Sequence, residues 1–132
     1  MAEFGGAPAE MAGLKVTVDR VVFHAQAQAP PDRPYCFVYF ITIHNHSEIP
    51  VTIRGRKWVV REDDGEVIAV EGDGVVGQNP LIHPGESFSY NSFHFLRTKL
   101  AIAEGAYLGL DGDGRRVFTR IPRFRMEVPG GD

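Results

Sequence analysis

Along most of this chain apolar and polar residues alternate one by one, the period of a strand with one buried face, and helical spacing is rare. Leu14, Val16 and Val18 share one face. Val21 and Phe23 resume the beat one residue out of step, which predicts a β-bulge around Asp19 and Arg20. Ala25 to Pro34 reads as a loop, because its adjacent prolines forbid both helix and central strand. Tyr35 to His46 is the strongest strand, and apolar residues on both faces near Phe37 to Phe40 predict a central one. Val51 to Glu62 is again extended, with Trp58 and Val60 on one face. Asp63-Asp64-Gly65 then signals a hairpin, with Glu66 to Glu71 running back. Pro84-Gly85 turns into an alternating segment holding Phe88, Tyr90 and Ser92. Leu96 to Glu104 is the one stretch with helical flavour. Gly105 to Leu110 reads as a short strand, Asp111 to Gly114 as the last hairpin, and Arg115 to Val128 as a closing strand broken at Pro122. Seven or eight strands with no amphipathic helix predict an all-β sandwich of mainly antiparallel strands.

One stretch does not alternate. Glu71 to Gly85 holds four glycines and two prolines in fifteen residues, yet Val75, Val76, Leu81 and Ile82 give it apolar anchors. It is too rich in glycine and proline for regular helix and too apolar for a floppy linker. An ordered loop packed across the sandwich is expected.

Composition narrows the picture further. At 132 residues the chain suits one domain able to bury a core without staples. A net charge of −3 argues against general nucleic-acid binding. The single cysteine, Cys36, fits a reducing compartment. No apolar run approaches the length of a membrane helix, and the N-terminus lacks the pattern of a secretory signal, so the cytoplasm is the expected location. Met1 to Gly13, small and Ala/Gly-rich, is expected to be a flexible arm, with residues 14–129 forming the domain.

A long collinear set of residues resembles the ApaG family: Asn45, Pro50, Arg56, Trp58, Gly65, Val70, Gly72, Gly74 to Gly77, Pro80, Pro84-Gly85, Phe88, Tyr90 and Ser92. Leu96, Thr98, Gly105, Tyr107, Phe118, Ile121-Pro122 and Phe124 continue it. The resemblance covers roughly Leu14 to Pro129. It departs at Lys57, where the family usually has His, at Ala101 and Ala103, and at Phe93 to Phe95, where the family has small residues. It implies a fibronectin type III-like (immunoglobulin-like) sandwich. Bacterial members have been linked to divalent-metal (cobalt, magnesium) tolerance, and their gene commonly lies beside that of a diadenosine-tetraphosphate hydrolase. In eukaryotes the domain is fused into an F-box protein and a polymerase-delta-interacting protein, where it looks like a partner-binding module. No catalytic motif comes with the resemblance.

Candidate chemistry must be weighed residue by residue. Gly72, Gly74 and Gly77 spell G-x-G-x-x-G, but a dinucleotide site needs a helix to follow, and QNPLIHPG allows none. What survives is a weaker reading, an anion-binding nest of backbone N–H groups for phosphate or pyrophosphate, with Arg54, Arg56 and Lys57 as sources of charge. A structural loop is the favoured alternative. His44 and His46 could offer two metal ligands from one strand face, but two ligands do not make a site, and no metal or cofactor is expected. Asp111-Gly112-Asp113-Gly114 begins like a calcium loop, but position twelve falls at Pro122 instead of Glu. The acidic cluster Glu62, Asp63, Asp64 and Glu66 reads as a solvated turn. Cys36 sits mid-strand, where burial keeps a thiol inert, and no nucleophile motif occurs, so no enzyme is expected. Arg115, Arg116, Arg120, Arg123 and Arg125 make the last strand basic, as an exposed edge guarded by charge or as a patch for an acidic partner. The resulting expectation is a non-enzymatic binding module. Gly72, Gly74, Gly77, Arg56 and Trp58 form its recognition surface, a protein is its partner, and there is room for a homo-oligomer. Taken by itself Trp58 reads as a core residue before a ligand platform, as the single Trp of a sandwich usually is.

Overall fold

Alternating β-branched and aromatic residues build nine strands and no helix in a computed structural model that describes residues 7–130. One sheet follows the order β1 (Ala9–Glu10), β9 (Arg116–Glu127), β8 (Leu100–Asp111), β4 (Val51–Glu62), β5 (Val67–Asp73), with β6 (Leu81–Ile82) pairing β4 at Val51 and Thr52. The other has three strands, β2 (Leu14–Phe23), β3 (Tyr35–Asn45) and β7 (Ser87–Leu96). Every pairing is antiparallel except the two-residue contact of β1 with β9. This is the expected sandwich, with seven long strands and two short ones.

The core lies between the sheets. Phe37, Tyr39, Ile41 and Ile43 of β3 pack in one cluster with Val51, Ile53, Trp58 and Val60 of β4, Ala101, Ala103 and Tyr107 of β8, and Val117, Ile121 and Met126 of β9. Burying each large apolar side chain contributes roughly 1.5–3 kcal/mol. β3 is central in its sheet, as its two apolar faces required. The bulge in β2 falls between Val18 and Arg20, where the alternation slips.

Three expectations give way. Leu96 to Glu104 is not helical: β7 ends at Leu96 and β8 starts at Leu100, running on through the supposed short strand Gly105 to Leu110. Helix propensity in Leu100 to Glu104 loses to pairing with β4 on one side and β9 on the other. The connecting turn is set by Glu62, whose carboxylate, fully shielded from solvent, accepts from the N–H groups of Arg97 (2.9 Å) and Thr98 (2.8 Å) and from the Thr98 hydroxyl (2.8 Å). Pro122 does not break the last strand. It sits where the β8–β9 register shifts between Ala103 and Gly105, and a bulge dispenses with the N–H that proline lacks.

The arm drawn over residues 1–13 is tied down over its described second half. Ala9 and Glu10 pair with Val117 and Phe118, the Met11 N–H donates to the Phe118 carbonyl (3.0 Å), and the Met11 side chain is buried. Residues 1–6 lie outside the described part.

Candidate functional site

The loop after β5 closes on itself as a two-residue hairpin turn. Val75 and Gln78 exchange both backbone hydrogen bonds, N–H to carbonyl at 2.7 and 2.9 Å, around Val76 and Gly77. Both central residues have positive φ, 44° at Val76 and 79° at Gly77, the signature of a type I′ turn. Gly77 suits that conformation. Val76 is the one non-glycine with positive φ among the described residues, and a β-branched side chain there costs about 1–2 kcal/mol. Val75 points into the core with no exposure, while Val76 at the tip is 47% exposed. The expected anchors therefore split: Val75 and Ile82 are buried, Val76 and Leu81 face solvent.

Gly74, at φ 66°, lets the turn fold back on its own chain, since a Cβ there would lie 2.5 Å from the Gln78 carbonyl oxygen. Its N–H donates to the Arg54 carbonyl (2.8 Å). Gly72 makes room for an arginine, because a Cβ there would sit 2.7 Å from the Arg56 guanidinium. Arg56 stands opposite Gly72 on β5 and Tyr107 on β8, and its Nη1 donates to the carbonyls of Asp73 (2.8 Å) and Gly74 (3.1 Å). Gly72, Gly74, Gly77 and Arg56 thus come together, with Arg56 as a clamp on the base of the turn. The amides of Gly74, Val75 and Gln78 are aimed at backbone acceptors, not at a shared outside point as an anion nest requires.

Trp58 answers to its core reading and takes no place on the exposed surface of the site. It is 2% exposed, in a cluster with Tyr39 (ring centroids 5.0 Å), His94 (5.1 Å) and Phe124 (5.9 Å). It stands in register between Val70 of β5 and Gly105 of β8, and its own burial means that it supports the site from within. Beside it lies a buried polar group that sequence reasoning missed. The hydroxyls of Tyr90 and Tyr107 are in direct hydrogen-bond contact, and Tyr39 is hydrogen-bonded to Ser92. Burial pushes all three phenols above their ordinary range, and the Arg56 charge counters part of it. Burial also pushes the His94 imidazole down to about 4.

The remaining candidates resolve locally. His44 and His46 stack at 5.6 Å, with His44 Nε2 3.0 Å from the Thr17 hydroxyl, and no cluster of three metal-ligating side chains occurs among the described residues. Asp111 Oδ1 accepts from the N–H groups of Asp113 and Arg115, making its loop a hairpin turn. Within the acidic cluster, Glu62 is buried rather than solvated and binds Arg33 at 3.0 Å. Cys36 is buried, which pushes its thiol up. Arg120, Arg123 and Arg125 pair with Glu10, Glu104 and Glu127. No helix among the described residues is long and apolar enough to cross a membrane.

The residues at the clamp and the turn are those of the sequence signature, and comparison with known proteins agrees. A family model described as the ApaG domain matches residues 25–110. The chain belongs to the ApaG domain family. Protein ApaG of Pseudomonas syringae pv. tomato is 40% identical over 117 residues, covering 88% of this chain and 93% of that protein. Protein ApaG of Shewanella pealeana is 39% identical over 116 residues, covering 87% and 92%. A Bordetella pertussis crystal structure, named as an ApaA protein, superposes with TM-score 0.81 at 31% identity, covering 92% of this chain and 98% of that one. None of these names states a reaction. In this ApaG domain the conspicuous glycines shape a turn, and Val76, which the glycines draw attention away from, is what the turn displays.

Proposed function

We propose that this ApaG domain is a non-enzymatic protein-binding module that offers the turn Val75 to Gln78 to a protein partner, with Val76 as the contacting side chain. Val76 carries the reading: a β-branched residue held in the left-handed region and left half in water. Backbone strain of this kind persists where surrounding structure over-determines it, and here Arg56, Val75 and Gly74 do so. An apolar tip on a rigid base loses little conformational freedom on binding. Any link to divalent-metal tolerance then runs through that partner.

A photo-crosslinking residue in place of Val76, introduced in cells, should trap one defined protein that the same residue at exposed Glu127 does not. Equal adducts from both positions would defeat the reading. Pyrophosphate titrated to about 10 mM, far above the concentrations at which specific sites fill, should leave the amide resonances of residues 74–78 unmoved. Saturating shifts there would favour the anion site instead.

A further inference from the structure

Four strands bound the two sheets, β9 and β2 along one side of the sandwich and β5 and β7 along the other. Three are guarded. β9 carries β1 along part of its length and several arginines. β2 has a bulge at Val18/Arg20 and the charges of Lys15, Asp19 and Arg20. β5 bears Glu71 and Asp73. Charge and bulges are the ordinary means by which sheet edges avoid pairing with other chains.

β7 has none of these. Its ten residues, SFSYNSFHFL, include no Asp, Glu, Lys, Arg or Pro, and they pair with β3 from Leu96 to Ser87 without a register shift. No strand among the described residues pairs with its other edge. Toward its Leu96 end the outer face beside that edge is apolar, whereas Ser87, Ser89 and Asn91 make the other end polar but uncharged. Val22, Val38 and Phe93 lie in register across β2, β3 and β7, and the rings of Phe93 and Phe95 are 5.1 Å apart. Phe93 is 54% exposed.

We propose that β7 is a self-association edge: two copies pair their β7 strands antiparallel about a two-fold axis. They form a continuous six-stranded sheet with the two Phe93 side chains covered at its centre. Charge selects the occupant. The chain carries a net charge of −3, so two copies repel over most of their surface, and they can approach without like-charge contact only along an uncharged strip. A charged foreign strand would find no opposite charge on β7 to recognise. Antiparallel pairing of identical strands is its own complement and closes at two copies, which explains how so open an edge avoids runaway stacking. The register centred on Phe93 keeps inward residues inward and sets the two Phe93 side chains side by side, joining the Val22–Val38–Phe93 stripes into one.

A strand pairing with one aromatic from each copy is a small interface, so sedimentation should show a reversible dimer with Kd roughly 10–200 μM. Raising salt should leave that Kd unchanged or lower it, because no ion pair is broken. Phe93→Lys puts a charge on an exposed position of the edge and should weaken dimerisation by more than about tenfold, with the folded monomer intact by circular dichroism. Val76→Asn, on a different surface, should leave the dimer as it was, so this proposal and the reading of the turn fail separately. In the wild type, amide exchange of residues 87–96 should slow with rising protein concentration while that of β5 does not. A monomer at all concentrations to about 500 μM, equal dimerisation of Phe93→Lys, or concentration-dependent protection on another edge would each overturn the proposal.

Discussion

At the scale of single residues, the two side chains with most leverage are Val76 and His94, and each makes a quantitative prediction. Val76 occupies the position of a type I′ turn where Asn is strongly preferred. Val76→Asn should therefore raise unfolding stability by about 1 kcal/mol, measured by urea denaturation, while abolishing partner crosslinking from a probe placed at neighbouring Gln78. A variant that is both less stable and equally competent to bind would contradict the strain argument. His94 is held neutral by burial, near 4 against an ordinary 6.5. Between those values the unfolded chain binds the proton and the folded chain does not. Stability should be complete above pH 6.5, fall as the pH drops toward 4, and level off below. The loss at pH 5 relative to pH 7 amounts to about 2 kcal/mol, and His94→Gln should remove it. Asp19 acts lower still, because hydrogen bonds from Thr42 and Thr17 hold its carboxyl below the usual range. Equal urea midpoint shifts for wild type and His94→Gln between pH 7 and 5 would rule His94 out. Trp58 shows why residue roles were only half legible. Alternation set it on one face with Val60 and a single Trp in a sandwich reads as core, but its part in a signature also drew it toward the surface residues.

At the scale of elements, the glycines of the turn are not equivalent. A Cβ at Gly74 would strike the Gln78 carbonyl, whereas nothing lies within 4 Å of one at Gly77, so Gly77→Ala pays only for its positive φ. Gly77→Ala should cost about 1 kcal/mol and Gly74→Ala clearly more, about 2–4 kcal/mol, because closure of the turn itself must give way. Thermal unfolding of the two single variants separates these, and equal losses would mean that the backbone approach at Gly74 relaxes freely. The strands and hairpins were legible because they depend on local rules: period-two alternation, Asp-Gly turns, and a one-residue slip for the β2 bulge. The Leu96 to Glu104 segment was not. Its turn is dictated by a carboxylate more than thirty residues earlier in sequence, and its strand by neighbours on both sides. The G-x-G-x-x-G spacing correctly excluded a nucleotide fold because prolines follow. It could not show that the intervening Val76 would be the displayed side chain, since that depends on which way the closed turn points.

At the scale of the whole molecule, the question is what closes the side of the sandwich where β2 meets β9. Thr119 of β9 donates from its hydroxyl to the Leu14 carbonyl at 2.7 Å, linking the two sheets, and Met11 packs beneath this contact with only 7% exposure. β1 itself is different: Ala9 and Glu10 are both exposed and pair with β9 over two residues. Composition concealed the distinction, because Met11 is one large apolar residue in a segment that otherwise reads as loose. The two features make opposite energetic predictions. Met11→Ala should cost about 2–3 kcal/mol, since it empties a core position, and so lower the melting temperature by roughly 10 °C. Removing residues 1–10 while keeping Met11 takes away the exposed Ala9–Glu10 ladder, and loss of that ladder should cost about 1 kcal/mol or less. If the truncation were the more damaging change, the closure would reside in the parallel pairing of β1 with β9. If Met11→Ala cost less than about 1 kcal/mol, the N-terminal segment would contribute no core at all, and Leu14 would mark the true start of the packed domain.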